Sequence, residues 1–432
     1  MDAAALPSAR GERLGGRGTI RLLFTPTPVH YSALVLSFVL ILILGRNQWF
    51  FGDDWAIIVP RADGNIFVPH VGHWTLTPSV VFQLLRDRLG LGSYLPFLSL
   101  AVLAHLAVAH LVWRILGRIG VDRWLATILS IFVMLLGGAS ENIFWAFQFG
   151  FMGAIALGLW VLLLMDRPKL NVPLILVLSV LAPTFSGTAI PVLAAAAVVG
   201  VIRHGWWRTG LLLLPTAISY VTWYLLVSRF YPVPSTGISS AGGALLYAAA
   251  MYGGGLGRAL PWIGLGVIPA LTAAVWFFAT IRRGLKSAAA PAYAMVVGSV
   301  VFVALTTYSR MSYGLSAAAA ERYAYLTVAL LLPAIGLQLT GLIRRSKAAF
   351  VATVAVLVAL TAFNTVVLGI QAQAQATIET ASEHRILSRL AAIIANPDDR
   401  ALLTTAPDAR RSPDLLGSDL LTLYRQGEIP KP

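Results

Sequence analysis

Asp53 and Asp54 stand side by side in Trp49-Phe50-Phe51-Gly52-Asp53-Asp54-Trp55, where the first long apolar segment ends. Aromatic rings mark the level of lipid headgroups, and ionisable groups beside hydrocarbon are costly enough to be functional-site candidates. Two neighbouring carboxylates near a low-dielectric boundary repel each other, so one can stay ionised as a general base while the other takes a hydrogen bond or orients it. The structural alternative is that the pair caps the start of the interfacial helix or pairs with Arg61.

Three further clusters could complete a site. His70 and His73, beside Trp74, have the i, i+3 spacing of metal ligands if the segment is helical, which Pro69 and Gly72 oppose; shaping an acceptor pocket is the plainer role. Glu141, Trp145 and Gln148 recur at helical spacing, offering a carboxylate, an indole and an amide to a sugar, whose apolar ring face stacks on an aromatic. The alternative there is an aromatic belt with an acid at a helix start. Arg310, in Tyr308-Ser309-Arg310, and Arg322, in Glu321-Arg322-Tyr323, carry the planar fork suited to a buried phosphate. Headgroup snorkelling, or an ion pair between Glu321 and Arg322, would account for them otherwise.

The elements that must position these groups are membrane helices. Hydrophobic residues make up 58% of the 432 and charged residues 12%, with a mean hydropathy of +0.78, which excludes an ordinary soluble domain. The +14 net charge is scattered between apolar runs rather than gathered on a face, so it argues for topology and against nucleic acid. With no cysteine, no disulfide or thiolate metal site is possible. The sequence therefore predicts an all-α polytopic membrane protein of about eleven spans, near 31–46, 94–116, 124–139, 146–165, 170–186, 188–202, 209–228, 262–281, 291–308, 324–343 and 348–370. The first is expected to be uncleaved despite Arg10, Arg13, Arg17 and Arg21 before it.

Placing residues 1–30 in the cytoplasm puts Arg114, Arg118 and Arg123, Arg167 and Lys169, Arg203 and Arg208, Arg282, Arg283 and Lys286, and Arg344, Arg345 and Lys347 on that side. The outer side then receives Asp53, Asp54, Asp63, Asp87, Glu141 and Glu321, against only Asp122 and Asp166 inside. Residues 244–260, rich in glycine, are expected to form an interfacial or re-entrant helix. Residues 77–89, in the first outer loop (46–93), should form an interfacial helix with Val80, Val81, Leu84, Leu85 and Leu89 on one face and Gln83, Arg86, Asp87 and Arg88 toward water. The tail, 371–432, should contain a helix near 378–395, lie on the extracytoplasmic side and pack on the outer loops.

Together, Asp53-Asp54, His73-Trp74-Thr75 with its interfacial helix, Glu141-Asn142 through Trp145 and Gln148, and Glu321-Arg322-Tyr323 give a chain that resembles the GT-C glycosyltransferases over residues 31–370. These are multi-spanning enzymes that take a sugar from a polyprenyl-phosphate carrier on the outer side of a membrane. The resemblance implies Asp53 as the base with Asp54 its partner, and Arg322 or Arg310 on the donor phosphate. It places His73, Trp74, Glu141, Trp145, Gln148 and Tyr323 around the substrates. It implies inverting hexosyl or pentosyl transfer to a glycan, lipid or protein acceptor, an outward-facing site in a bacterial inner or plasma membrane, and no cofactor, a divalent metal being possible but not expected. A lipid-linked sugar flippase or secondary transporter is the alternative, disfavoured by acids gathered on one side instead of the midplane; an acyltransferase using His70 or His73 would leave the acidic pair unexplained.

Overall fold

The computed structural model describes residues 25–59, 65–232, 238 and 240–432; Arg10, Arg13, Arg17, Arg21, Arg61 and Asp63 lie outside the described residues. Within them the regular elements are helices: α1 (Pro26–Leu44), α2 (Asp53–Ile58), α3 (Leu76–Leu89), α4 (Leu95–Arg118), α5 (Arg123–Met134), α6 (Ser140–Phe144), α7 (Phe149–Met165), α8 (Val172–Phe185), α9 (Ala189–His204), α10 (Trp206–Leu226), α11 (Ala241–Gly257), α12 (Val267–Gly284), α13 (Ala290–Arg310), α14 (Leu315–Ala318), α15 (Glu321–Ile343), α16 (Lys347–Ala395), α17 (Arg400–Thr404) and α18 (Gly417–Arg425).

Among the described residues eight helices are long and apolar enough to cross a membrane, or nine if α5 and the segment Gly137–Phe144, bent from it by 46°, form one broken span. α8 and α9, at 14 and 16 residues, are apolar but short. Every one of the eleven apolar segments of the sequence is thus helical, while span length belongs to eight. α11 covers most of the glycine-rich stretch at 244–260 and packs on α15 and α12.

At the centre, α7 packs against α4, α8 and α9, and α9 packs against α13. Ala189, Ala195, Ala196 and Gly200 on α9 are buried there, small residues of the kind that let helix backbones approach when lipid supplies no hydrophobic drive. By contrast α10 exposes Leu211, Leu214, Ile218 and Leu225, and α12 exposes Ile268, Leu271, Val275 and Phe278. Those are the faces a bilayer would cover.

Two sequence expectations need correction. The span at 348–370 and the polar helix at 378–395 are one continuous helix, α16, of 49 residues. At 1.5 Å per residue it is about 70 Å long, more than twice a hydrocarbon core of about 30 Å; the Gln371-Ala-Gln-Ala-Gln join consists of helix formers and contains no breaker. In α3 the exposed residues are Val80, Leu84, Asp87, Arg88 and Leu89, so Asp87 and Arg88 face outward as expected, whereas Arg86 is buried. Arg86 does not face water because its fork is consumed inside: Nη1 donates to the Ile58 carbonyl at 2.6 Å, and Nε lies 3.1 Å from Glu428 Oε2.

The tail also reaches the first outer loop. The Trp49 amide donates to Glu379 Oε2 at 2.9 Å, the Gly52 amide to the Arg411 carbonyl, and the Leu91 amide to the Glu428 carbonyl. At the opposite end of the bundle, Asp166 ties three turns together: Arg118 Nε reaches its Oδ2 at 2.8 Å and Arg203 Nε its Oδ1 at 2.9 Å, while Arg203 Nη2 donates to the Ser287 carbonyl. Turns bearing the cationic clusters therefore share one end. Because Asp166 is 5% exposed while the arginines are partly solvated, Asp166→Ala should cost about 2 kcal/mol of stability in a denaturant titration in detergent; an unchanged midpoint would contradict this closure.

Candidate active site

Asp53 and Asp54 open α2, whose first-turn amides favour negative charge. The chain enters through Gly52 at φ 55°, a left-handed conformation that suits glycine, and a β-carbon there would meet the Trp145 ring at 3.0 Å. Consecutive helical residues point about 100° apart, so the two carboxylates part company.

Asp54 turns inward and is fully buried. Its Oδ1 accepts from the Phe147 amide at 2.9 Å; its Oδ2 accepts from the Phe51 amide at 3.2 Å and the Tyr94 hydroxyl at 2.9 Å. Tyr94 Oη accepts in turn from the Ala146 amide at 2.7 Å. Burial pushes the Asp54 carboxyl up to about 8 against these hydrogen bonds, with the Asp53 charge adding to the rise. Asp54 does not line the cavity; of the two roles expected for the second acid it takes the hydrogen-bonded one, knitting the first loop to the 144–148 turn.

Asp53 turns outward into a cavity of about 560 Å³ shared with His70, His73, Trp145, Gln148, Arg310, Arg322 and Tyr323. Asp53 Oδ1 lies 3.1 Å from His70 Nε2, an ion-pair distance without the alignment of a hydrogen bond. His70 and His73 are not one helical turn apart. Their amides and carbonyls pair reciprocally at 3.0 and 2.9 Å across a tight turn with Val71 at φ 47° and Gly72 at φ 79°. Val71 is the one non-glycine with positive φ among the described residues, and a β-branched side chain there is strained. The turn sends His70 to Asp53 and His73 to Ser186, whose hydroxyl is 3.3 Å from Nδ1. Burial, reinforced by the Arg310 charge, lowers His73 to about 4, so it is neutral at physiological pH. Among the described residues no three His, Cys, Asp or Glu side chains are grouped to hold a metal.

Trp74 is turned away from the cavity, stacked on Trp223 at 5.1 Å, and clamps the loop to α10. Glu141, Trp145 and Gln148 do not share a helical face: α6 ends at Phe144 and Trp145 is extended, with φ −96° and ψ 114°. Glu141 instead pairs with Arg322 Nη1 at 2.8 Å. Trp145 lines the cavity but spends one face on Phe51, at 5.1 Å and 25°. Glu321 takes no part with Arg322; it accepts from Ser140 Oγ at 2.7 Å and faces Arg258 at 3.5 Å.

No family model, curated protein or solved structure matches this chain. The site is accordingly read from its own geometry. Arg310 lies over the Tyr313 ring at 5.5 Å, its Nη1 donates to the Tyr313 hydroxyl at 3.3 Å, and it has no carboxylate within 4.0 Å among the described residues, which leaves the rest of its fork available. Arg322 keeps part of its fork beyond Glu141, with its guanidinium 5.6 Å from the Tyr323 ring centre. Ser186, Thr188 and Tyr220 went unnoticed as site residues. The Ser186-Gly187 break between two short apolar segments was the available signal, since a β-carbon at 187 would press within 3.0 Å of His73 Nδ1; Tyr220, inside an apolar helix, carried none.

The Asp54 geometry sets a pH dependence. With its native value raised to about 8, the native state holds a proton that the unfolded chain releases near 4. Its contribution to stability is complete below that range and is lost as pH rises through the native value. Unfolding midpoints in detergent should fall more between about pH 5 and about pH 9 in the wild type than in Asp54→Asn, which cannot ionise; equal falls would contradict the assignment.

Proposed function

We propose that this protein is an inverting membrane glycosyltransferase, a hexosyl- or pentosyltransferase of the GT-C type, moving a sugar from a polyprenyl-phosphate carrier to a glycan, lipid or protein acceptor. The observation that carries the reading is that one cavity holds a carboxylate, Asp53, and two guanidinium groups, Arg310 and Arg322. A proton acceptor and a phosphate grip are the two things this transfer requires.

In this reading Asp53 takes the proton from the acceptor hydroxyl as the oxygen attacks the anomeric carbon. The anomeric carbon–oxygen bond breaks and its electron pair leaves on the carrier phosphate. Arg310, which has no carboxylate within 4.0 Å among the described residues, leads in neutralising that charge, and Arg322, steadied by Glu141, is the second donor. Preorganised cations at a developing charge are commonly the largest catalytic contribution. His70 steadies Asp53, and Gln148, Tyr323 and the edge of Trp145 bound the space for the sugar. Leu305, Tyr308 and Tyr313 both line the cavity and are exposed, so a lipid carrier can enter from the side.

The proposed topology has eleven crossings, counting the bent and short helices, with the N-terminus inside and 371–432 outside. Its support is the charge asymmetry together with the common end shared by the turns around Arg118, Asp166, Arg203 and Ser287. The cavity then opens outward.

The test is turnover of a polyprenyl-phosphate sugar by purified protein. Asp53→Asn should lower kcat by about 10²–10⁴-fold with little change in donor KM, and Arg310→Ala should mainly weaken carrier binding. Full turnover in Asp53→Asn, or none in the wild type across hexose and pentose donors, would refute the proposal.

A further inference from the structure

Two buried side-chain atoms on the cavity wall, among the described residues, make no aligned hydrogen bond: His70 Nε2 and Asn142 Oδ1. His70 Nε2 has the Asp53 carboxylate at 3.1 Å. Asn142 Oδ1 has no polar partner, although the residue is only 1% exposed. Its Nδ2 donates to Gln148 Oε1 at 3.1 Å, and Gln148, also 1% exposed, lines the same cavity. Two amides are thus joined to each other, and one amide atom is left over at the cavity wall.

Such an atom is expensive in a folded protein because its hydration has been removed and nothing replaces it. The atom assignment within an amide follows from the network around it. Exchanging oxygen and nitrogen in both amides keeps the Asn142–Gln148 bond and leaves the Asn142 nitrogen unpartnered instead. A hydroxyl both donates and accepts, so it satisfies either arrangement, whereas a methylene satisfies neither.

Position narrows the ligand further. The turn holding Asn142 and Gln148 abuts the acid loop through Trp145 against Phe51 and through the Phe147 amide on Asp54. Its other neighbour is Glu141, which holds Arg322. The turn that carries Asn142 thus touches both the acid loop and the holder of one phosphate grip, and Asn142 lines the same cavity as Asp53 and Arg322, which the transferred sugar would occupy. We infer that the Asn142–Gln148 amide pair is a hydroxyl-reading subsite for the sugar, and that it makes the protein prefer a sugar-bearing carrier over the bare polyprenyl phosphate. The inference rests on the glycosyl-donor reading above and adds the residue that recognises the sugar apart from its phosphate.

Equilibrium binding separates the two claims. The probes are polyprenyl phosphate alone and the same carrier bearing a hexose or a pentose, titrated against wild type, Asn142→Leu and Asn142→Ala in lipid nanodiscs. The wild type should bind at least one glycosylated carrier more tightly than the bare one. Both variants should lose about tenfold to a hundredfold on that ligand while binding the bare carrier as the wild type does, which also shows that they are folded. Variants that keep the preference would overturn the inference, as would a wild type that binds all three alike or variants that lose bare and glycosylated carriers together. In each of those results wild-type binding of the carrier leaves the broader reading standing. A wild type that binds none of the three lipids removes both.

Discussion

Asp54 is a carboxylate without water, held by two backbone amides and a tyrosine hydroxyl drawn from three separate segments of the chain. Removing it would leave buried donors from the first loop, the start of α4 and the second outer turn unsatisfied at once, and such groups each cost about 1–3 kcal/mol. The position of Asp53 follows from this constraint. With its neighbour fixed inward and Gly52 fixing the entry to α2, the Asp53 side chain is left facing the cavity. The adjacent acids divide the work: one holds the loop, and the other is free to meet a ligand.

The tail extends the same constraint. Glu379 accepts the Trp49 amide, the Arg411 carbonyl accepts the Gly52 amide, and Glu428 engages both Leu91 and Arg86. Because α16 continues unbroken far beyond a membrane's thickness, it carries Glu379 to the loop, and the chain that follows it brings Arg411 and Glu428. The tail is thereby a brace for the acid loop, which accounts for a buried carboxylate at residue 379 and a buried guanidinium at residue 86.

Much of this was legible in the residues. Apolar run lengths located the eleven helical segments, and the types and grouping of Asp53, His73, Trp145, Gln148, Arg310, Arg322 and Tyr323 nominated side chains that do line one cavity. What escaped was directional. Asp54 looks identical to Asp53 in sequence, and only the placement of Tyr94 and Phe147 separates them. Trp74 and Trp145 differ in the same way, one consumed by Trp223 and the other partly free. The helical spacing of Glu141, Trp145 and Gln148 misled because the chain breaks at Trp145, whereas Pro69 and Gly72 already argued against a helical turn between His70 and His73, whose turn has positive φ at Val71 and Gly72. Arg86 seemed destined for water because, besides the neighbouring Asp87, its partners are the Ile58 carbonyl, 28 residues before it, and the Glu428 carboxylate in the tail.

The central claim is that carboxylate and guanidinium groups meet a single ligand in one cavity. Electron cryomicroscopy of the protein with a bound polyprenyl-phosphate sugar tests it most directly. The account predicts density for the phosphate at hydrogen-bonding distance from the Arg310 or Arg322 fork, with the sugar lying between that phosphate and Asp53. A carrier phosphate seated elsewhere on the protein, with the Asp53 cavity empty of sugar, would contradict it.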